Sequence, residues 1–222
     1  MTTDVPLPSP DDPTATGVPA DVDAAPLDAA PLDSAPLDDV ASDAEALASA
    51  QRGLRLLELV REIEKHVASE GWDQNPRMFA LALTSELVRL EPELAAALGA
   101  AADDPESLTP IEQEPLDTER ALDEVLATTM WPEEVVGAAL VLERVVLPPE
   151  AEATVDETDP VALAAALANH PDRQDVRMAV VVTRDGGRMC ALRLRSHDAD
   201  ADVLVGEDVV PRLAAALAAT LT

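Results

Sequence analysis

The chain is poor in aromatic residues: its 222 residues include no tyrosine, one phenylalanine and two tryptophans. A chain of this length can still bury a core, but leucine, valine, isoleucine and alanine must fill it. Nucleic-acid binding draws on aromatic stacking and on Lys and Arg that neutralise phosphates. With 15 basic against 44 acidic residues and a net charge of -29, the chain would repel phosphate. We therefore expect neither nucleic acid nor an anionic membrane as a partner.

Cysteine occurs once, as Cys190. A single thiol excludes an internal disulfide framework and a cysteine-based zinc cage. The N-terminal residues lack the basic and then apolar pattern of a secretory signal. The longest bulky-apolar run, at 135–142, has eight residues, far short of the ~20 needed to span a bilayer. These absences predict a cytoplasmic protein.

The excess of acidic residues has two explanations. A high net charge keeps an alanine- and leucine-rich surface in solution, and 14 Arg against one Lys fits a GC-rich coding bias. Alternatively, an acidic surface docks a basic partner or mimics nucleic acid. Because charge runs mostly report solvation, we favour the first explanation.

Residues 1–42 are predicted to be a disordered acidic tail rich in Pro, Ala and Asp. The tail carries three copies of Ala-Pro-Leu-Asp, at 25–28, 30–33 and 35–38. Proline at this spacing blocks a helix, and the segment has too little apolar surface to offset its ordering entropy. Low-complexity expansion explains the repeat; the functional alternative is a set of three leucine anchors that bind in tandem.

Residues 43–222 are predicted to form a single α+β domain. A long amphipathic helix is expected at 43–70, after a capping-box pattern at Ser42 and before a stop at Gly71. Its apolar stripe recurs at helical spacing and includes Leu47, Leu54, Leu56, Leu57, Val60, Ile63 and Val67. We expect this stripe to pack on a sheet, on other helices or on a second subunit.

The remaining elements follow from proline positions and apolar patterns. Strands are predicted at 77–83, 176–183, 190–195 and 203–205, with Asp185-Gly186 as a hairpin turn. At 135–147, five valines and a following Pro-Pro favour a strand over a helix. We predict a short helical turn capped by Thr84 or Ser85, an extended loop at 99–117, and helices at 93–98, 117–127, 159–169 and 209–221.

No motif for catalysis, for a metal or for a cofactor is found. Asp198, Asp200 and Asp202 resemble the start of a calcium loop, but Val203 and Val209 occupy the positions that require Gly and Glu. The three histidines form no HExxH pair, and GxSxG, GxGxxG and P-loop patterns are missing. Cys190 lies in mid-strand and is predicted to be a core thiol.

Two groups of residues are candidate contacts for a partner or a ligand. Trp72 and Trp131 lie in connections just before apolar runs, where they either seal the core edge or anchor a partner. Arginines on the polar positions of the hairpin predict a positive stripe, which binds an acidic partner or the acidic tail, or is solvated and paired with carboxylates. The candidates are Trp72, Asp73, Gln74, Trp131, Arg177, Arg193 and Arg195.

Most of residues 44–222 resembles a family of uncharacterised proteins from high-GC Gram-positive bacteria. That family has no assigned activity, so the resemblance implies a cytoplasmic globular protein and transfers no site. The similar segments are Gly71-Trp72-Asp73-Gln74 with Pro76, Leu-Thr-Pro-Ile-Glu-Gln-Glu at 108–114, Trp131-Pro132, Leu147-Pro148-Pro149 with Ala151-Glu152, His170-Pro171 with Arg173, Val176-Arg177, Arg184-Asp185-Gly186, and Cys190 with Leu-Arg-Leu-Arg at 192–195.

The sequence thus favours a non-enzymatic protein-binding or adaptor module with an unidentified protein partner; it specifies no oligomeric state. The first alternative is an enzyme or small-molecule binder whose site joins Trp72, Asp73 and Gln74 to the hairpin arginines. The second is an acidic nucleic-acid mimic. The first alternative requires Trp72 and Arg193 to lie close together in the fold.

Overall fold

The computed structural model describes residues 37–100, 104–147 and 169–222. Within these residues, six strands form one antiparallel sheet in the order β2-β1-β3-β4-β5-β6, accompanied by five α-helices. The α+β class predicted from the sequence is therefore confirmed. The strands are β1 (Arg77–Leu83), β2 (Leu108–Glu112), β3 (Gly137–Val146), β4 (Gln174–Thr183), β5 (Arg188–Leu194) and β6 (Leu204–Gly206). The helices are α1 (Leu37–Ala68), α2 (Thr84–Leu90), α3 (Pro92–Ala97), α4 (Leu122–Thr128) and α5 (Pro211–Ala218).

One face of the sheet is covered by the C-terminal half of α1. Leu56, Val60, Ile63 and Val67 recur at helical spacing and are buried. They pack on alternate residues of β1, β3, β4 and β5, since successive side chains of a strand point to opposite faces. On the sheet side these contacts come from Phe79, Leu81, Ala139, Val141, Ala179, Val181, Met189 and Ala191.

The other face of the sheet is covered by α4 and α5. Leu126 of α4 and Leu217 of α5 join the intervening residues of the strands in a second core. Cys190 is fully buried there, as predicted, and burial raises the pKa of its thiol. The strand residues of this core are Met78, Ala138, Leu140, Leu142, Val180, Val182 and Cys190. The fold therefore has three layers: helix, sheet and helices.

Helix α1 differs from its predicted form in two ways. It begins at Leu37, so residues 37–42 of the predicted tail are helical, and Ser42 lies inside the helix. Residues 1–36 of that tail lie outside the described residues. Leu47 and Leu54 do not widen the buried stripe: they are 65% and 62% exposed. Leu54 lies nine residues from Ile63, about two and a half turns, and so points to the opposite side.

Two other regions also depart from the predictions. The segment at 99–117 was expected to be a loop, but it contains β2 with Pro110 inside the strand. Proline is tolerated there because β2 is an edge strand and pairs only with β1 on one side. The helix expected at 117–127 begins only at Leu122, and Thr84 donates to Ser107 instead of capping α2. The helix expected at 159–169 lies outside the described residues except for Asn169.

The strands expected at 77–83, 135–147 and 203–205 are confirmed to within two residues. The hairpin is also confirmed: β4 pairs with β5 from Val182 opposite Arg188 to Val176 opposite Leu194. Gly186 in its turn has a φ of +89°, a conformation that glycine adopts without strain. None of the helices in the described segments is long and apolar enough to cross a membrane.

Alanine substitutions at two glycines test the packing of the layers, because they are expected to change the free energy of unfolding in opposite directions. A Cβ on Gly137 would lie 2.5 Å from the carbonyl oxygen of Val182 on β4, so we expect Gly137→Ala to lower the free energy of unfolding by about 1–3 kcal/mol. A Cβ on Gly53 in α1 meets no atom within 4 Å, so Gly53→Ala should raise it by up to about 1 kcal/mol. Urea unfolding of the full chain measures both. A loss of stability in both variants would contradict the described packing.

Candidate functional site

Two arginines are buried under the C-terminal end of α1. Arg177 of β4 and Arg193 of β5 are direct cross-strand neighbours, and they are 1% and 2% exposed. Like charges opposite one another on a sheet repel, so their burial requires acidic partners. The odd-numbered positions of β4 and β5 face α1, and the main partner therefore comes from that helix.

That partner is Glu64, which is 1% exposed. Its carboxylate accepts two hydrogen bonds of 2.7 Å from Arg193 Nε and Nη2 and lies 3.8 Å from Arg177 Nη1. Arg177 also donates to Glu143 of β3 over 2.7 Å and to the carbonyl oxygen of Gly71. Arg193 also donates to Asp200 over 2.8 Å. The two buried positive charges are thus shared by Glu64 of the helix, Glu143 of the sheet and Asp200 of the segment after β5.

Trp72 covers this ion-pair network from the loop that follows α1. The Arg177 guanidinium carbon lies 4.4 Å from the centroid of its ring and that of Arg195 lies 5.5 Å away, both within the range of a cation–π interaction. The indole N–H donates to Asp198 Oδ2 over 3.0 Å. Arg193 donates to the carbonyl oxygen of Asp198 over 2.9 Å, so Trp72 and Arg193 share a neighbour.

Asp73 and Gln74 complete the connection between the loop and the sheet. Asp73 accepts two hydrogen bonds from Arg195 over 2.8 and 2.9 Å, and its backbone N–H donates to Glu143 Oε2 over 2.7 Å. Its φ is +66°, which Asp tolerates better than most residues. The Gln74 amide donates to the carbonyl oxygen of Val67 over 2.8 Å and so ties the loop to the end of α1.

Six of the seven candidate residues therefore converge. The Trp72 cluster, as we name it, consists of Glu64, Trp72, Asp73, Gln74, Glu143, Arg177, Arg193, Arg195, Asp198 and Asp200. Trp131 lies elsewhere: it packs in the second core, and its indole N–H donates to Thr220 Oγ1 over 2.9 Å.

The hairpin arginines are predicted to form a positive stripe that binds an acidic partner or the acidic tail, or is a solvated face paired with carboxylates. The structure shows the pairing with carboxylates, but Arg177 and Arg193 lie in the interior and not on a solvated face, because α1 covers that side of the sheet. Only Arg195 is exposed, and it is paired with Asp73. The cluster presents ion pairs, and it does not offer a basic surface to a partner.

The charged groups of the Trp72 cluster pair with one another. Hydrogen bonds from Arg195 and Arg193 lower the pKa values of Asp73 and Asp200, and the Glu64 carboxylate raises the pKa of Arg193. In the described part of the chain, every buried side-chain nitrogen and oxygen has a hydrogen-bond partner, and no three His, Cys, Asp or Glu side chains are grouped to hold a metal ion. The arrangement fastens α1 and its loop to the sheet.

A cavity lies at the opposite end of the packed part of α1. This hairpin pocket, as we name it, has a volume of about 340 Å³ and lies between α1, the end of β1, the start of β2, the residue before β3 and the β4–β5 turn. Its apolar wall consists of Leu56, Leu83, Leu108 and Val136. Gly187 brings the turn against α1: a Cβ there would lie 2.8 Å from Leu56 Cδ1.

The rim of the hairpin pocket carries three arginines, Arg52, Arg55 and Arg184, against Glu106 and Asp185. Arg52 approaches Asp185 only to 3.8 Å, whereas Arg55 is paired with Glu106. Arg184 is held by the carbonyl oxygens of Val135, Trp131, Pro132 and Leu221. Carbonyl oxygens fix the guanidinium in place without cancelling its charge, so the lining has a local excess of positive charge.

Sequence reasoning missed the hairpin pocket because its wall comes from four separate segments with no common spacing. One signal was present: residues 46–57 contain no Asp or Glu in a chain with 44 of them. A second cleft of about 420 Å³ lies between α1 and β2, where Glu62 and Glu112 make the lining acidic. The hairpin pocket therefore stands out for combining apolar walls with basic side chains.

Glu64 is expected to be essential for the stability of the fold. Glu64→Ala leaves the charges of Arg177 and Arg193 buried with fewer partners, and breaking such a pair costs about 3–5 kcal/mol. Glu62→Ala, at an exposed position of the same helix, should change the free energy of unfolding by less than about 0.5 kcal/mol. Urea unfolding compares the two variants, and equal effects would show that the buried network contributes little.

The ion pairs of the loop should make the fold acid-sensitive. Because the pKa of Asp73 is lowered by Arg195, the folded chain binds fewer protons than the unfolded chain at acidic pH. The stabilisation is fully present above the ordinary pKa of 3.8 and is lost as the pH falls through the lowered value. Asp73→Asn keeps the backbone conformation, since Asn also tolerates positive φ, but it removes the charge.

We therefore expect Asp73→Asn to be less stable than the parent chain at pH 7, and the difference to shrink towards pH 2. Urea midpoints measured across this range give the result. A difference that stays constant with pH would contradict the assigned ion pair.

No curated protein and no solved structure matches the chain. A family model does: the model described as PPA1309-like protein matches residues 56–222. The match includes the whole Trp72 cluster and the hairpin pocket apart from Arg52 and Arg55. Because it covers about three quarters of the sequence, the chain belongs to the family of PPA1309-like proteins.

Proposed function

We propose that this chain is a cytoplasmic, non-enzymatic protein-binding module of a high-GC Gram-positive bacterium. Its hairpin pocket takes a short partner segment in which an apolar side chain adjoins a carboxylate. The observation that carries the proposal is the pocket itself, an apolar cavity of about 340 Å³ with three arginines in its lining, in a chain whose net charge is -29.

The chemistry of the pocket defines the partner segment. Burying one leucine or valine side chain against the apolar wall contributes about 1.5–3 kcal/mol. Exposed ion pairs to Arg52 or Arg184 contribute about 0.2–1 kcal/mol each. These contributions sum to at most about 5 kcal/mol, so after the cost of association we expect a dissociation constant of about a millimolar or weaker, which suits a reversible adaptor.

The acidic charge of the whole chain does not prevent this binding. At physiological salt, charges further apart than about 8 Å are largely screened, so a carboxylate in the pocket responds chiefly to the arginines beside it. The same screening means that high salt weakens the contact. An acidic segment is therefore accepted at this place on the surface and repelled at most others.

The Trp72 cluster supports this choice because it offers little to a ligand. Its arginines and carboxylates already bind one another, so a small molecule would have to displace buried ion pairs. Asp73 and Arg195 are accessible but form a bidentate pair with each other. A structural role accounts for these contacts better than the alternative of an enzyme or a small-molecule site.

Charge reversal at the rim tests the proposal. A hexapeptide with one leucine followed by aspartate is titrated into the full chain, and binding is followed by the methyl NMR signals of Leu56 and Val136. Arg52→Glu should weaken binding about threefold to tenfold, because it removes one attraction and adds a repulsion. Arg61→Glu makes the same charge change at an exposed position of α1 outside the pocket lining and should have no effect.

A second peptide, with lysine in place of aspartate, separates charge recognition from apolar contact. The proposal expects this peptide to bind more weakly than the aspartate peptide to the parent chain, and the preference to shrink in Arg52→Glu. Equal affinities of the two peptides, or equal effects of the Arg52 and Arg61 substitutions, would contradict the proposed function.

A further inference from the structure

We infer that the chain's own segment Ala25-Pro26-Leu27-Asp28 occupies the hairpin pocket and competes there with partner segments. The inference rests on the proposed function and names a regulator of the same site. Leu27 lies against the apolar wall, and Asp28 lies at the rim beside Arg52.

The composition of the N-terminal segment matches the pocket. Residues 1–36 carry seven Asp and no Lys or Arg, whereas residues 46–57 carry two Arg and no acidic residue. The repeat places an aspartate directly after a leucine, the combination that the wall and the rim accept. Proline before the leucine fixes one backbone angle in advance, and this lowers the entropy that binding must overcome.

The length of the connection selects one repeat. The N-terminal segment joins α1 at Leu37, and the wall residue Leu56 lies nineteen residues further on, about 28 Å along the helix. Leu32 is five residues from Leu37 and can extend at most ~18 Å, which is too short. Leu27 is ten residues away and reaches about 31 Å in a polyproline II conformation, which is just long enough to reach the wall.

The other leucines of the segment do not fit. Leu37 and Asp38 of the third repeat belong to α1 itself. Leu7 is followed by Pro8 and therefore lacks the adjoining carboxylate. Tethering gives the Leu27 repeat an effective concentration of the order of millimolar, so even weak binding fills the pocket for much of the time.

The experiment uses two full-length double variants with the same change in composition and charge. One carries Leu27→Ser with Asp28→Ser, and the control carries Leu32→Ser with Asp33→Ser. The methyl NMR signals of Leu56, Leu83, Leu108 and Val136 report on the pocket. We expect the first variant to shift these signals and to bind the leucine–aspartate hexapeptide severalfold more tightly, and the control to match the parent chain.

Each other outcome has a defined meaning. Equal shifts in both variants would overturn the assignment to residues 25–28, and signals that move on dilution would overturn the intramolecular contact. If neither variant moves the signals, the tail does not occupy the pocket. In that case, hexapeptide binding that Arg52→Glu weakens leaves the proposed function standing, whereas a hexapeptide that does not bind removes both proposals.

Discussion

The Glu64 carboxylate, placed between Arg177 and Arg193, is the interaction on which the rest of the structure depends. Two guanidinium groups side by side on a sheet are unfavourable unless an acid neutralises them, and Glu64 supplies that acid from above the sheet. The pairing fixes the rotation of α1 about its axis. It also holds the loop after α1 in place, because Arg177 donates a hydrogen bond to the carbonyl oxygen of Gly71.

The ion pairs fix one end of α1 on the sheet, and the position of its other end follows because the helix is continuous. The apolar stripe from Val67 back to Leu56 lies along the sheet and ends where the β4–β5 turn meets the helix at Gly187. Beyond that point the sheet no longer covers α1, and the gap between helix, turn and strand ends is the hairpin pocket. The ion pairs of the Trp72 cluster are structural, and the proposed binding site lies at the far end of the same helix.

The sequence predicted the elements whose signals are local. The strand at 77–83 follows Pro76 and is apolar from Met78 onwards. The hairpin has alternating apolar residues on both sides of Asp185-Gly186, mainly valine in β4 and Cys190, Leu192 and Leu194 in β5. The edge strand β2 was missed because proline usually marks a loop, and whether a strand is an edge strand is a property of the whole sheet. Trp72 and the hairpin arginines are candidate contacts in the sequence, and the structure brings them together in one cluster. Their burial could not be predicted, because alternation does not reveal whether a helix covers the polar side.

The acidic composition of the chain and the basic lining of the hairpin pocket are compatible. A chain with a net charge of -29 resists unspecific association with other acidic proteins, and under the proposed function this would keep its weak contacts selective. If the N-terminal segment competes for the pocket as proposed, it raises the concentration of partner that binding requires. The unequal distribution of charge along α1 is what makes both effects possible.

A double-mutant cycle on Glu64 and Arg193 tests the central claim most directly. Unfolding free energies are measured for the parent chain, Glu64→Leu, Arg193→Leu and the double variant. If the buried pair fastens α1 to the sheet, each single substitution destabilises strongly, the double variant recovers much of the loss, and the coupling energy is at least about 2 kcal/mol. Single effects that add to within about 0.5 kcal/mol would contradict the account.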